Sequence, residues 1–116
     1  VVLGINVNLG PCIDVIHDLA DPGMSTRVYS DDPDIAAKLG LAFAEGIGSS
    51  EVITTYKHFP GAGDGSDYPT SIYLTLDELK GVGLSTYAAA IEGGAEMIMT
   101  SAVTFPAFDD EYLIFS

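Results

Sequence analysis

Cysteine, tryptophan and basic residues are scarce in this sequence of 116 residues. The single cysteine, Cys12, excludes an intrachain disulfide and a metal cluster built from several cysteines, and its apolar neighbours predict a small core residue. Only 4 residues are Lys or Arg, against 17 Asp and Glu, so the formal net charge is −13. Such a negative charge repels phosphate backbones and anionic lipid surfaces. We therefore expect neither nucleic acid nor an anionic membrane surface as a partner.

Long apolar runs are absent as well. No stretch approaches the ~20 apolar residues that a transmembrane helix needs, and the N-terminus lacks the pattern of a secretory signal. The chain does not begin with Met, so we interpret it as an internal part of a longer protein and predict neither a cytoplasmic nor an exported location. A complete eight-stranded barrel takes ~250 residues, so this chain is either a small α/β domain or part of a larger one.

The hydrophobic content predicts a folded chain, since 47% of the residues are hydrophobic. β-branched residues favour a strand over residues 5–9, continued by an extended piece to residue 15. Turn-forming residues then predict a long loop over residues 16–30. The motif Asp31-Asp32-Pro33-Asp34 is typical of a helix start, and apolar residues at steps of three and four extend that helix to about residue 47.

The second half of the chain repeats this order. We predict a strand over residues 52–56 with Lys57 and His58 at its end, a Gly- and Asp-rich loop, a helix over residues 76–91 and a strand over residues 95–100. Residues 105–116 have no clear period, and Asp109-Asp110-Glu111 is interpreted as a solvated turn. Strands that alternate with helices predict an α/β fold with parallel strands and right-handed crossovers.

Residues that follow the C-terminal ends of parallel strands meet at one edge of the sheet. Seven polar residues have this placement: Asp14, Arg27, Lys57, His58, Asp64, Asp67 and Ser101. Such a mixture suits a polyhydroxylated ligand, because fixed donors and acceptors hold hydroxyl groups and paired carboxyl groups perform glycosidic acid–base chemistry. Alternatively, Arg27 forms a structural ion pair and His58 a structural hydrogen bond. No cofactor and no metal site are predicted.

Four sequence blocks carry a resemblance to a known family: GINVNLGPCIDV, RVYSDDPDIAAKLG, TYKHFPGAGD and EGGAEMIMTSAVTFPAFD. In the same order they resemble G-I-N-x-x-x-A-P-x-x-D-V, R-S-F-G-x-D-P-x-x-x-A-x-x-G, K-H-F-P-G-H-G-D and E-A-G-x-D-x-x-M-T-A-H-x-x-x-P-x-x-D. These patterns occur in the N-terminal catalytic domain of glycoside hydrolase family three, in its β-N-acetylhexosaminidase branch. The resemblance implies that residues 1–116 are part of a TIM (β/α)8 barrel, a half-barrel of parallel strands alternating with helices.

The same resemblance implies an activity and roles for site residues. The expected protein is a retaining exo-glycosidase that hydrolyses terminal β-linked sugars, with β-N-acetylglucosaminides as the expected substrates. Arg27, Lys57 and His58 match positions that hydrogen-bond the sugar next to the scissile bond, and Asp14 matches an aspartate with a supporting role. The family's nucleophile lies in an S-D-x-x-M motif, which this chain does not contain.

The acid/base group of this branch is an Asp-x-His pair. Here Tyr68 and Pro69 stand where x-His is expected, which leaves Asp67 as the candidate acid/base residue. Two alternatives to the glycosidase stay open: a barrel that binds sugar without cleaving it, and a truncated half-barrel with no independent function. Because the nucleophile is absent, we predict that the chain by itself does not hydrolyse glycosides.

Overall fold

The computed structural model describes residues 3–16, 24–61 and 71–115. Strands and helices alternate through most of the described chain, in the order β1 (Val7–Asn8), α1 (Pro33–Gly48), β2 (Ile53–Phe59), α2 (Leu76–Leu79), a π-helical segment (Lys80–Leu84), α3 (Ser85–Glu92) and β3 (Met97–Thr100). Three short elements follow: β4 (Thr104–Phe105), β5 (Asp109–Tyr112) and a 3-10 helix (Leu113–Phe115). None of the helices in these ranges is long and apolar enough to cross a bilayer.

The first three strands form one parallel sheet in the order β1-β2-β3. Val7 is the partner of Ile53, and Thr55 is the partner of Met97. Each strand therefore lies beside its successor in the sequence, with a helical connection between them, as in part of an α/β barrel. The predicted fold class is confirmed.

Helix α1 begins where the sequence predicts. The Asp32 side chain accepts hydrogen bonds from the backbone N–H groups of Asp34 and Ile35, at 2.9 and 3.2 Å, and Pro33 occupies the first helical position. The buried side of the helix includes Gly40, where an added Cβ would lie 2.3 Å from Ile13 Cγ2. The lack of a side chain at residue 40 therefore brings the helix close to the chain that follows β1.

The cap of α1 can be tested with two neighbouring aspartates. Asp32→Ala removes the acceptor for two backbone N–H groups, and we expect it to lower the free energy of unfolding by about 1 kcal/mol. Asp31→Ala is the control, because Asp31 is equally acidic and exposed but accepts no hydrogen bond from the helix backbone. Urea denaturation of the full-length protein measures both changes. Equal losses in the two variants would contradict this role of Asp32.

The second helical stretch begins with the predicted capping box. The Thr75 hydroxyl accepts from the Glu78 backbone N–H, and the Glu78 carboxylate accepts from the Thr75 backbone N–H at 2.8 Å. That second hydrogen bond lowers the pKa of Glu78. Further along, Gly83 lies against the main chain that follows β2, since an added Cβ would come within 2.0 Å of the Pro60 carbonyl oxygen. Helix and strand end are in backbone contact there.

The prediction for the last residues is wrong in one respect. Asp109–Tyr112 forms strand β5 rather than a solvated turn, and it pairs antiparallel with β4 through Thr104 and Tyr112. The Leu113 backbone N–H donates to the Val103 carbonyl at 2.9 Å, and Val103, Phe105 and Leu113 pack in one apolar cluster. Pairing and apolar burial around the acidic residues therefore override their weak strand propensity.

Candidate functional site

The chain that follows β1 continues alongside β2 through backbone hydrogen bonds. Lys57 donates to the Pro11 carbonyl at 3.0 Å, and Ile13 donates to the Lys57 carbonyl at 2.9 Å. This pairing places Asp14 beside His58, although 44 residues separate them in sequence. Strand β2 is longer than predicted and includes Lys57 and His58 as strand residues near its C-terminal end.

Asp14 is fully buried and holds His58 in place. The two Asp14 carboxylate oxygens accept from the His58 backbone N–H at 3.1 and 3.2 Å. One of them, Oδ2, also lies 2.7 Å from His58 Nδ1 and accepts from the Cys12 thiol at 3.1 Å. Asp14 therefore contacts both the backbone and the ring of His58.

Arg27 contacts the other side of the His58 ring. Its Nη2 lies 3.1 Å from His58 Nε2, and its Nη1 donates to Met24 Sδ at 3.5 Å. A guanidinium group can only donate, so Nε2 is the acceptor and the ring proton resides on Nδ1, where it meets Asp14. The arrangement Asp14–His58–Arg27 thus assigns Nδ1 as the donor and Nε2 as the acceptor of the His58 ring.

Cys12 is buried at the edge of this site. Its side chain packs with Ile16 and Met24, which confirms the predicted core position. Burial, followed by the neighbouring Asp14 carboxylate, raises the pKa of the Cys12 thiol to about 12. The thiol is therefore protonated at neutral pH and acts as a hydrogen-bond donor rather than a nucleophile.

Tyr87 is a site neighbour that the sequence did not indicate. It is 1% exposed, and its ring packs edge-on against Phe59 with centroids 5.2 Å apart. Within the described residues, its hydroxyl and that of Ser101 are buried and make no hydrogen bond. Burial, and then electrostatic interactions with Asp14 and Cys12, raise the pKa of Tyr87. Only the regular spacing of apolar residues on its helix marks Tyr87 in the sequence, and this spacing predicts burial without indicating a site.

The other predicted site residues divide into two groups. Lys57 is half-buried, and its side chain makes no hydrogen bond or ion pair with any residue in the described ranges. Asp64 and Asp67 lie outside the described residues. Of the predicted residues, the structure therefore brings Asp14, Arg27 and His58 into direct contact.

Fold and site together define part of an α/β barrel with polar residues gathered at the C-terminal end of its strands. Residues 1–114 match the glycosyl hydrolase family 3 N-terminal domain, and the chain belongs to this family. The resemblance found in the four sequence blocks is thereby confirmed.

Named relatives agree with this assignment. Beta-hexosaminidase A of Pseudoalteromonas piscicida is 34% identical over 117 residues, which cover 97% of this chain and 20% of that protein. NagZ of Neisseria gonorrhoeae superposes with a TM-score of 0.84 at 25% identity, over 97% of this chain and 34% of the NagZ chain. A family 3 beta-N-acetylglucosaminidase from Paenibacillus sp. gives a TM-score of 0.85 at 33% identity, over 94% of this chain and 22% of that one. The chain thus spans about a fifth to a third of the length of these relatives.

Proposed function

We propose that the protein containing this chain is a retaining exo-glycosidase that hydrolyses terminal β-linked sugars, with β-N-acetylglucosaminides as its substrates. Residues 1–116 would supply part of its TIM-barrel domain. The observation that carries the proposal is the contact series Asp14–His58–Arg27 at the C-terminal end of the strands. Family membership and the names of the relatives support the same reaction class.

Each residue of the site has a proposed task. Arg27 donates to sugar hydroxyl groups, and Lys57, whose side chain has no polar partner within the described ranges, supplies a second cation for them. His58 offers its Nε2 to a hydroxyl donor when Arg27 turns toward the sugar. Asp14 keeps the ring oriented during this exchange. Asp67 is the proposed acid/base residue, and the nucleophile comes from a part of the protein outside this chain.

A second candidate function is sugar binding without hydrolysis. It is favoured by Tyr68 and Pro69, which stand where the family's branch has the histidine of its acid/base pair. In that case Arg27, Lys57 and His58 would hold the sugar, while no group would protonate the leaving oxygen. Hydrolysis and binding therefore have to be measured on the same protein.

The test is hydrolysis of 4-nitrophenyl β-N-acetylglucosaminide by the full-length protein, beside 4-nitrophenyl β-glucoside. We expect turnover of the N-acetylated substrate. Loss of hydrogen bonds to the sugar in His58→Ala should lower kcat/KM by about 10- to 100-fold. Lys38→Ala is the control, because Lys38 is an exposed residue of α1.

Two results would contradict the proposal. If the folded protein is inert with both substrates but binds N-acetylglucosamine in calorimetry, sugar binding without cleavage replaces hydrolysis. If His58→Ala retains the kcat/KM of Lys38→Ala, the site does not contact the substrate.

A further inference from the structure

We propose that Cys12, Asp14 and His58 form a binding site for a divalent transition-metal ion of the Zn²⁺ type. The sulfur of Cys12, a carboxylate oxygen of Asp14 and a ring nitrogen of His58 all lie within 4.8 Å of one another. Thiolate, carboxylate and imidazole are the three side-chain ligand types that zinc uses in proteins. The site shares Asp14 and His58 with the proposed sugar site, but binding of a metal ion there does not depend on glycosidase activity.

The spacing of the three groups suits a single ion. Ligands at tetrahedral angles around zinc, with bond lengths of about 2.0 to 2.3 Å, lie roughly 3.3 to 3.8 Å apart. Asp14 Oδ2 is 3.1 Å from the sulfur of Cys12 and 2.7 Å from His58 Nδ1. These two distances are shorter because a proton now bridges each pair. Replacing the protons with a metal ion requires the groups to separate by less than an ångström.

Metal binding has a defined proton balance. The Cys12 thiol releases its proton to solvent and ligates as a thiolate. The proton on His58 Nδ1 moves to Nε2, so that Nδ1 can ligate. One proton therefore leaves the protein for each ion bound, and no electron is transferred.

The new tautomer conflicts with Arg27. A proton on His58 Nε2 would face Arg27 Nη2, which is 3.1 Å away and is itself a donor. Arg27 is exposed, so its side chain has room to leave the ring. Its departure would remove a positive charge from beside the ring. Metal binding and the Arg27–His58 contact are therefore mutually exclusive.

The surroundings support a bound ion. Asp14 is 0% exposed, and Cys12 is 9% exposed. The Tyr87 hydroxyl is also buried and has no hydrogen-bond partner among the described residues. The sequence shows no ligand motif at this site because His58 lies 44 residues from Asp14 along the chain.

The experiment is a titration of the metal-free full-length protein with Zn²⁺ against a chromogenic chelator, repeated with Co²⁺ to record the thiolate-to-cobalt charge-transfer band. We expect Cys12→Val to weaken zinc binding by at least about tenfold and to lose the cobalt band. Val103→Ala is the control, since Val103 is buried as well but packs in a separate apolar cluster and is not one of the three ligands. It should bind both ions as the wild type does.

Equal zinc affinity in the wild type and in Cys12→Val, together with an unchanged cobalt spectrum, would overturn the proposal. Should Cys12→Val fail to fold, X-ray absorption of the wild type with one equivalent of zinc decides. We expect one sulfur at about 2.3 Å, and a shell of nitrogen and oxygen alone would overturn the site. Neither measurement requires sugar or turnover, so an inert glycosidase would leave both outcomes readable.

Discussion

Asp14→Asn should lower kcat/KM for the aryl β-N-acetylglucosaminide by about 100-fold or more, although the side chain keeps its size. Both Asp14 carboxylate oxygens accept hydrogen bonds from His58. Oδ1 accepts from the His58 backbone N–H, and Oδ2 accepts from Nδ1 of the ring. The asparagine side chain has one oxygen that accepts and one NH2 group that donates. If the NH2 group faces the backbone N–H, two donors meet. If it faces Nδ1, the ring proton must move to Nε2, where it meets Arg27.

Steady-state kinetics of the full-length protein, with near-UV circular dichroism to verify folding, measure this effect. Asp34→Asn carries the same chemical change at an exposed position in the first turn of α1 and should leave kcat/KM unchanged. A shifted pH profile of kcat/KM in Asp14→Asn would identify the change in the histidine, which a general loss of stability would not produce. Wild-type kinetics in Asp14→Asn would refute the positioning role of Asp14.

Gly83→Ala should lower the free energy of unfolding by about 3 kcal/mol or more. The added Cβ would lie 2.0 Å from the Pro60 carbonyl oxygen, 2.9 Å from the Pro60 carbonyl carbon and 3.0 Å from that of Gly61. All three are main-chain atoms, so no rotamer change can relieve the overlap. The helix must move away from the end of β2, and the packing between them is lost.

Gly81→Ala is the matched control for Gly83→Ala. Gly81 lies in the same π-helical segment, but nothing lies within 4 Å of its added Cβ. Alanine restricts the unfolded chain, so this variant should be unchanged or more stable by up to ~1 kcal/mol. Urea denaturation of the full-length protein gives both values. Similar stabilities of the two variants would contradict the backbone contact at Gly83.

Local signals explain which elements the sequence predicted. Asp32 and Pro33 start α1, and Thr75 with Glu78 starts the second helical stretch, because caps depend on residues close in sequence. Parallel strands followed from the alternation of strand and helix patterns. The contact between Asp14 and His58 then followed in outline, since both residues come near the ends of neighbouring strands.

Features that depend on tertiary packing were not predictable in the same way. Three of the four residues of strand β5 are acidic and have weak strand propensity, and the strand forms through its pairing with β4. The position of Tyr87 beside the site depends on how closely its helix approaches β2, which Gly83 permits. The Cys12 thiol was predicted to be buried, but its hydrogen bond to Asp14 requires the exact backbone path of residues 10–15.

The backbone contact between Gly83 and Pro60 also bears on protein engineering. At position 83 the spacing between this helix and the end of β2 is set by main-chain atoms. A mutant library can therefore vary an apolar position of a separate cluster, such as Val103, without adding atoms at this backbone contact. Position 83 itself offers no such freedom and is best left as glycine.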